Sequence, residues 1–132
     1  MTPRRIITVG AILGAVGVAV GAFGAHAVAD TVTAERLKVF ETAARYQQIH
    51  AIAVIISGLI AANWPSTWVN AAAYLFFSGV IVFSGSLYLL VLTDTAWLGA
   101  VTPLGGVALI GGWCALGWGC SLGTRHSAPG TT

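Results

Sequence analysis

From Tyr46 to Thr124 the chain carries one charged side chain, Asp94. A soluble fold has to cover its surface with polar groups, and roughly a quarter of the residues of an ordinary soluble domain are charged. Here 8% of the 132 residues are charged and 57% are hydrophobic, with mean hydropathy +0.86. The class that follows is an all-α integral membrane protein, with the lipid bilayer as its first partner. The length leaves no room for a second domain. The net charge of +2 is scattered, and no basic stripe marks a nucleic-acid surface.

A helix needs ~20 apolar residues to cross a bilayer. Four stretches supply them, at about 6–28, 46–62, 69–92 and 101–120. The first follows Arg4 and Arg5. Its glycines, Gly10, Gly14, Gly17, Gly21 and Gly24, are spaced 4, 3, 4 and 3, so they share one helix face. Small residues on one face let a neighbouring helix approach closely in lipid, and this face is read as a packing seam. Gly111, Ala115 and Gly119 form a second small-residue face in the last span. The first run also has features of a signal peptide, with Ala27-Val28-Ala29 before Asp30, but it is longer than the usual 7–15 residue apolar core. A retained first helix brings the total to four spans.

The segment Gly21 to His50 joins the first run to the second. It holds two of the three histidines and three of the four acidic residues. Thr33 is an expected helix N-cap with Glu35 in the first turn. Leu37, Phe40 and Ala44 recur at helical spacing among Glu35, Arg36, Lys38, Glu41 and Arg45, which predicts a short amphipathic helix over 34–45 at the membrane surface. Glu41 and Arg45 are expected to pair at i,i+4. Asn63-Trp64-Pro65-Ser66-Thr67-Trp68 reads as a tight interfacial turn, Thr93-Asp94-Thr95 as the next, and 122–132 as a disordered tail. Four spans place both termini on one side. Lys and Arg divide evenly between the two sides, and the arginine pair before the first span assigns the termini to the cytoplasm of a bacterial inner membrane.

Polar residues within the spans are functional candidates by default. Seven form a candidate cluster near the face opposite the termini: His26, Tyr46, Gln47, His50, Ser86, Tyr88 and Thr102. Tyr46, Gln47 and His50 can turn inward together by helical spacing. The cluster can lock the helix ends by mutual hydrogen bonds, or hold a small solute in a carrier or channel. His50 is expected to find its partners in Gln47 and in Tyr88 or Thr102. A haem or metal between His26 and His50 is the least favoured reading, since no third ligand is evident. Cys114 and Cys120 lie six apart on different helix faces and read as small buried residues. No nucleophile–base pair or phosphate loop appears, so the chain leans away from an enzyme, and no cofactor is assigned. A homo-oligomer or a larger membrane complex is an open alternative for its partners.

At GAFGAH (Gly21 to His26) and FETAARYQQIH (Phe40 to His50), and later at SGSLY (Ser84 to Tyr88) and TPLGG (Thr102 to Gly106), the chain resembles the small bacterial membrane proteins of domain of unknown function 423, which have distant eukaryotic transmembrane relatives. The resemblance runs from about residue 6 to 120. Ile49 and Ile52 depart conservatively from an HALAL-like run after the histidine. The resemblance implies a four-helix integral membrane protein and no established reaction. A structural or partner-binding component of the membrane is the expected function.

Overall fold

A computed structural model describes residues 1–123; most of the expected tail, from 124 on, lies outside the described residues. The described chain is all-helical. Helix α1 (Pro3–Ala19) runs through a π-helical turn (Val20–Gly24) into α2 (Ala25–Ala29). Then come α3 (Ala34–Asn63), α4 (Thr67–Thr93), a 3₁₀ turn (Ala96–Ala100) and α5 (Thr102–Gly123). Three of the long helical stretches, Pro3–Ala29, Thr67–Thr93 and Ala96–Leu122, are long and apolar enough to cross a membrane.

Local chemistry sets the starts. Thr2 caps α1 by accepting from Arg5 N–H, with Pro3 in the first turn, where a missing N–H is harmless. Thr33 caps α3 by accepting from Arg36 N–H. Asp94 ends α4 in the left-handed region, at φ 55°.

The stretch expected as the second span and the expected amphipathic segment are one helix. Nothing between Ala34 and Ile56 breaks it, because neither Pro nor Gly occurs there. At 30 residues, α3 is about 45 Å long at the α-helical rise. Residues 34–45 are therefore not a separate helix lying on the surface. They are the first turns of α3, already packed between α1–α2 and α4. Gln47 and His50, expected near the start of a span, fall at mid-helix as a result.

Each long helix packs chiefly on its sequence neighbour, α1 on α3, α3 on α4 and α4 on α5. The α4–α5 pair shows why the approach is close. A Cβ placed at Gly105, Gly112 or Gly119 would come 2.4 Å from Phe83 N, 2.6 Å from Phe76 Cδ1 and 2.9 Å from Val69 Cγ2, respectively. Both sets recur every seven residues, in opposite directions, which is the period of helices packed nearly antiparallel with a slight left-handed twist. On α1, a Cβ at Gly10 would lie 2.6 Å from Ile55 Cγ1, and in the π-helical turn one at Gly24 would lie 3.0 Å from Phe40 Cζ. Gly14 has room, with Ala51 Cβ at 3.8 Å. Ile6, Val54, Phe76 and Leu109 centre the main core, and Val28, Phe40 and Val91 form a smaller one at the loop end.

Cys114 and Cys120 are both exposed on α5 rather than buried. The spacing placed them on the apolar helix, but which face looks outward depends on the α4 contact.

Candidate functional site

Gln47 is 4% exposed and His50 5%, and both sit on the mid-helix stretch of α3. A polar side chain buried this fully has to find protein partners, because water cannot reach it. Gln47 finds them on both sides. Its Nε2 donates to Leu13 O on α1 at 2.9 Å, and its Oε1 accepts from Tyr88 Oη on α4 at 2.9 Å. One amide thus joins three helices.

Gln48, one residue on, donates from Nε2 to Gly17 O at 2.9 Å. The α1 ladder changes just beyond this point. The Val20 N–H is shared between Val16 O and Gly17 O, and the Ala25 N–H reaches back to Val20 O. A side chain bonding into the ladder is a known cause of such a widened turn. Gly17 lets it happen, because a Cβ there would meet Gln48 Cγ at 3.0 Å.

His50 is held by a different set. Nδ1 lies 2.7 Å from Tyr46 O, and Nε2 accepts from Trp113 Nε1 on α5 at 3.3 Å. A carbonyl can only accept and an indole N–H can only donate, so these partners select the neutral tautomer with the proton on Nδ1. The ring sits among aromatics, with centroids 5.8 Å from Phe76 and 6.1 Å from Trp113, while Phe76 and Trp113 meet edge to face at 5.0 Å. Tyr46, 39% exposed, stacks on Phe83 at 4.6 Å.

The remaining candidates divide. Ser86 and Thr102 share a hydrogen bond at 2.8 Å, linking α4 to the start of α5. His26 stands apart: it is exposed, at the level where Gly24 packs on Phe40. Phe40 precedes His50 by ten residues, on the order of 15 Å along the helix. No shared ligand can bridge the two histidines at that separation. Gln47 with Tyr88 and Ser86 with Thr102 are bonded pairs, Tyr46 O faces His50 Nδ1, and His26 stands apart from all of them. His50 takes Tyr46 O and Trp113 as partners, not Gln47, Tyr88 or Thr102.

The candidate cluster read from the sequence left out Trp113, Gln48 and Ser84. Ser84 is fully buried and donates to Ala43 O at 2.8 Å, tying α4 to α3. Trp113 did carry a signal: tryptophan favours membrane interfaces, and one in mid-span needs an acceptor. Arg36, expected among the charges of a surface amphipathic helix, donates to Leu90 O at 3.0 Å and pairs with Asp94, closing the C-terminal end of α4. It is the only ion pair among the described residues, and the expected Glu41–Arg45 pair does not form. A cleft of about 430 Å³ opens beside it, walled by Val28, Val32 and Val91. The polar groups at its rim are engaged locally: Arg36 as above, and Thr31 Oγ1 with Val28 O.

Among the described residues, Asn70 Oδ1 alone is a buried side-chain polar atom without a partner, and it lies in the first turns of α4, away from the cluster. Among the same residues no three His, Cys, Asp or Glu side chains are grouped as metal ligands.

Residues 20–106 match the family model described as protein of unknown function DUF423. The UPF0382 membrane protein SAB0533 of Staphylococcus aureus (strain bovine RF122 / ET3-1) is 46% identical over 101 residues, 76% of this chain and 82% of that protein. The UPF0382 membrane protein YwdK of Bacillus subtilis (strain 168) is 40% identical over 102 residues, 76% and 83% of the two chains. No solved structure matches.

Proposed function

Since the chain belongs to the DUF423 family of proteins of unknown function, we propose a role from its own geometry: a four-span structural component of the bacterial cytoplasmic membrane that works by binding a protein partner. The observation that carries this reading is the use of Gln47 and His50. Both ends of the Gln47 amide and both ring nitrogens of His50 are engaged by protein groups at mid-helix. A carrier would need some of that capacity open to its solute, and a channel would need it open to water. The cluster acts as an internal lock.

The lock also gives α3 its place. Alone it is too polar to rank with the other three spans. Packed between α1 and α4, with Gln47, Gln48 and His50 satisfied, it crosses with them as the fourth. The glycines of α1 and α5 set the close approach that these short polar reaches require. Both termini then share one side, which the Arg4–Arg5 pair assigns to the cytoplasm.

The test is flux in reconstituted vesicles, read with dyes for protons and potassium. The expected result is the permeability of empty vesicles. Flux that disappears in Gln47→Ala or His50→Ala variants of parental thermal stability would overturn the proposal in favour of a carrier or channel.

A further inference from the structure

Two apolar stretches of the chain, Pro3–Ala29 and Thr67–Thr93, end beside one cleft. Its volume is about 430 Å³, and Val28, Val32, Val91 and Leu92 give it apolar walls. Arg36 and Asp94 stand at its rim as an ion pair. In a membrane the ends of spanning helices lie where hydrocarbon gives way to lipid headgroups. α1–α2 and α4 alone bring the cleft to that level, whether or not α3 crosses.

The ion pair leaves capacity on both partners. Arg36 uses Nη1 on Leu90 O and Nη2 on Asp94. A guanidinium has five N–H donors, so others stay free. Asp94 uses Oδ1 on Arg36, its side chain is 81% exposed, and Oδ2 has no partner among the described residues. The last turn of α4, which carries Val91 and Leu92, also presents carbonyls without intrahelical donors. Arg36 takes Leu90 O, while Val91 O and Leu92 O receive no donor among the described residues. Free donors of a cation thus stand beside free acceptors of an anion, next to apolar walls.

We propose that this cleft binds the headgroup of a zwitterionic phospholipid with a primary ammonium, a phosphatidylethanolamine. Charge selects that ligand. The lining holds one cation and one anion and no other charge, so a ligand with a net charge meets repulsion as well as attraction. A phosphate on the free N–H groups of Arg36 and an ammonium on Oδ2 of Asp94 complete a ring of four alternating charges, with the ion pair left intact. Only an ethylene unit joins the amine to the phosphate ester, so the two charges of the ligand lie close together, as the two they meet do. A quaternary ammonium has no N–H for Asp94, and it is recognised by aromatic faces, which the cleft lining lacks. The acyl chains leave along the apolar wall past Leu92, which is itself exposed. The site is independent of which protein the bundle binds.

The experiment uses the purified full chain in mild detergent, titrated with short-chain phosphatidylethanolamine, phosphatidylcholine and phosphatidylglycerol and followed by thermal unfolding. Phosphatidylethanolamine should raise the melting temperature, because it binds the folded state, and the other two should leave it in place. Asp94→Asn keeps a residue that tolerates the left-handed backbone, and an exposed ion pair contributes little, so it should melt close to the parent without lipid. It should need roughly ten-fold more phosphatidylethanolamine for the same shift, since a charge-assisted bond is lost. Leu92→Trp, at an exposed position, should obstruct the cleft with the ion pair intact and abolish the shift. Glu35→Gln, outside the lining, should respond as the parent does. Free phosphoethanolamine, without acyl chains, should not reproduce the shift.

Equal shifts with all three lipids, or none with phosphatidylethanolamine, would overturn the proposal. So would a parental response in both Asp94→Asn and Leu92→Trp. A shift with free phosphoethanolamine as large as that with the lipid would make the occupant a soluble amine phosphate and overturn the lipid.

Discussion

The Tyr88 hydroxyl donates to Gln47 Oε1 across 2.9 Å, and the same amide donates onward to Leu13 O. α4, α3 and α1 are thus joined through one side chain at the middle of α3. The two bonds are coupled, since each fixes the rotamer that the other needs. Tyr88→Phe should lower stability by ~0.5–1.5 kcal/mol, the range measured for hydrogen bonds between membrane helices. Gln47→Ala should cost more, ~2–3 kcal/mol, because it also strips Tyr88 and leaves a cavity. Combined, the two changes should cost less than their sum. A double-mutant cycle by thermal unfolding in detergent checks this, and strict additivity would mean that the hydroxyl and the amide do not interact in the membrane.

His50 supplies the second expectation. His50→Ala removes two hydrogen bonds and the ring between Phe76 and Trp113, for an expected loss of about 2–4 kcal/mol. Trp113→Phe keeps the edge contact with Phe76 but leaves Nε2 without its donor, at roughly 1–2 kcal/mol. His26→Ala, on an exposed side chain, should stay within ~0.5 kcal/mol of the parent. Melting temperatures of the three variants would show the order. A larger loss at His26 than at His50 contradicts the geometry.

What could be read from the chain differed with range. The apolar runs, the Thr33 cap and the turns at Pro65 and Asp94 depend on neighbours within a few residues, and these were legible. So was the burial of Gln47 and His50, because helical spacing puts them on one face. Their partners were not legible. Trp113 meets His50 across 63 residues of chain, and that contact depends on the register of two helix pairs. The continuity of α3 was hidden for a different reason. The charges of 34–45 resemble a surface helix, and only packing against α1 and α4 shows that the same residues flank the bundle.

Glycine positions separate packing from composition. Gly105→Ala would drive a Cβ to 2.4 Å from the Phe83 backbone nitrogen, which cannot move without displacing α4. A loss of ~2–3 kcal/mol or failure to fold is expected, as for overpacked cores. Gly14→Ala meets only Ala51 Cβ at 3.8 Å, and Gly117→Ala meets nothing within 4 Å. Both should be neutral or raise stability by up to ~1 kcal/mol through helix propensity. Expression and melting of the three variants in one detergent test the contrast. Equal tolerance at Gly105 and Gly14 would mean that α4 and α5 do not approach this closely.

The proposed crossing of α3 can be read from the turns. If α3 spans, the turn at Ser66 lies on the side of the termini, while Thr31 and Thr95 lie on the other. If it does not, Thr31 and Ser66 share a side. Single cysteines at these three positions, in a Cys114→Ser/Cys120→Ser background, can be labelled in intact cells with a membrane-impermeant maleimide. The cytoplasmic placement of the termini predicts labelling at Thr31→Cys and Thr95→Cys, and protection at Ser66→Cys until the membrane is opened. The inverse pattern would keep four spans and reverse the orientation. Labelling of Thr31→Cys and Ser66→Cys from the same side would remove α3 from the membrane. It would also leave Gln47 and His50 bonded beside water, where the lock would be worth far less than at membrane depth.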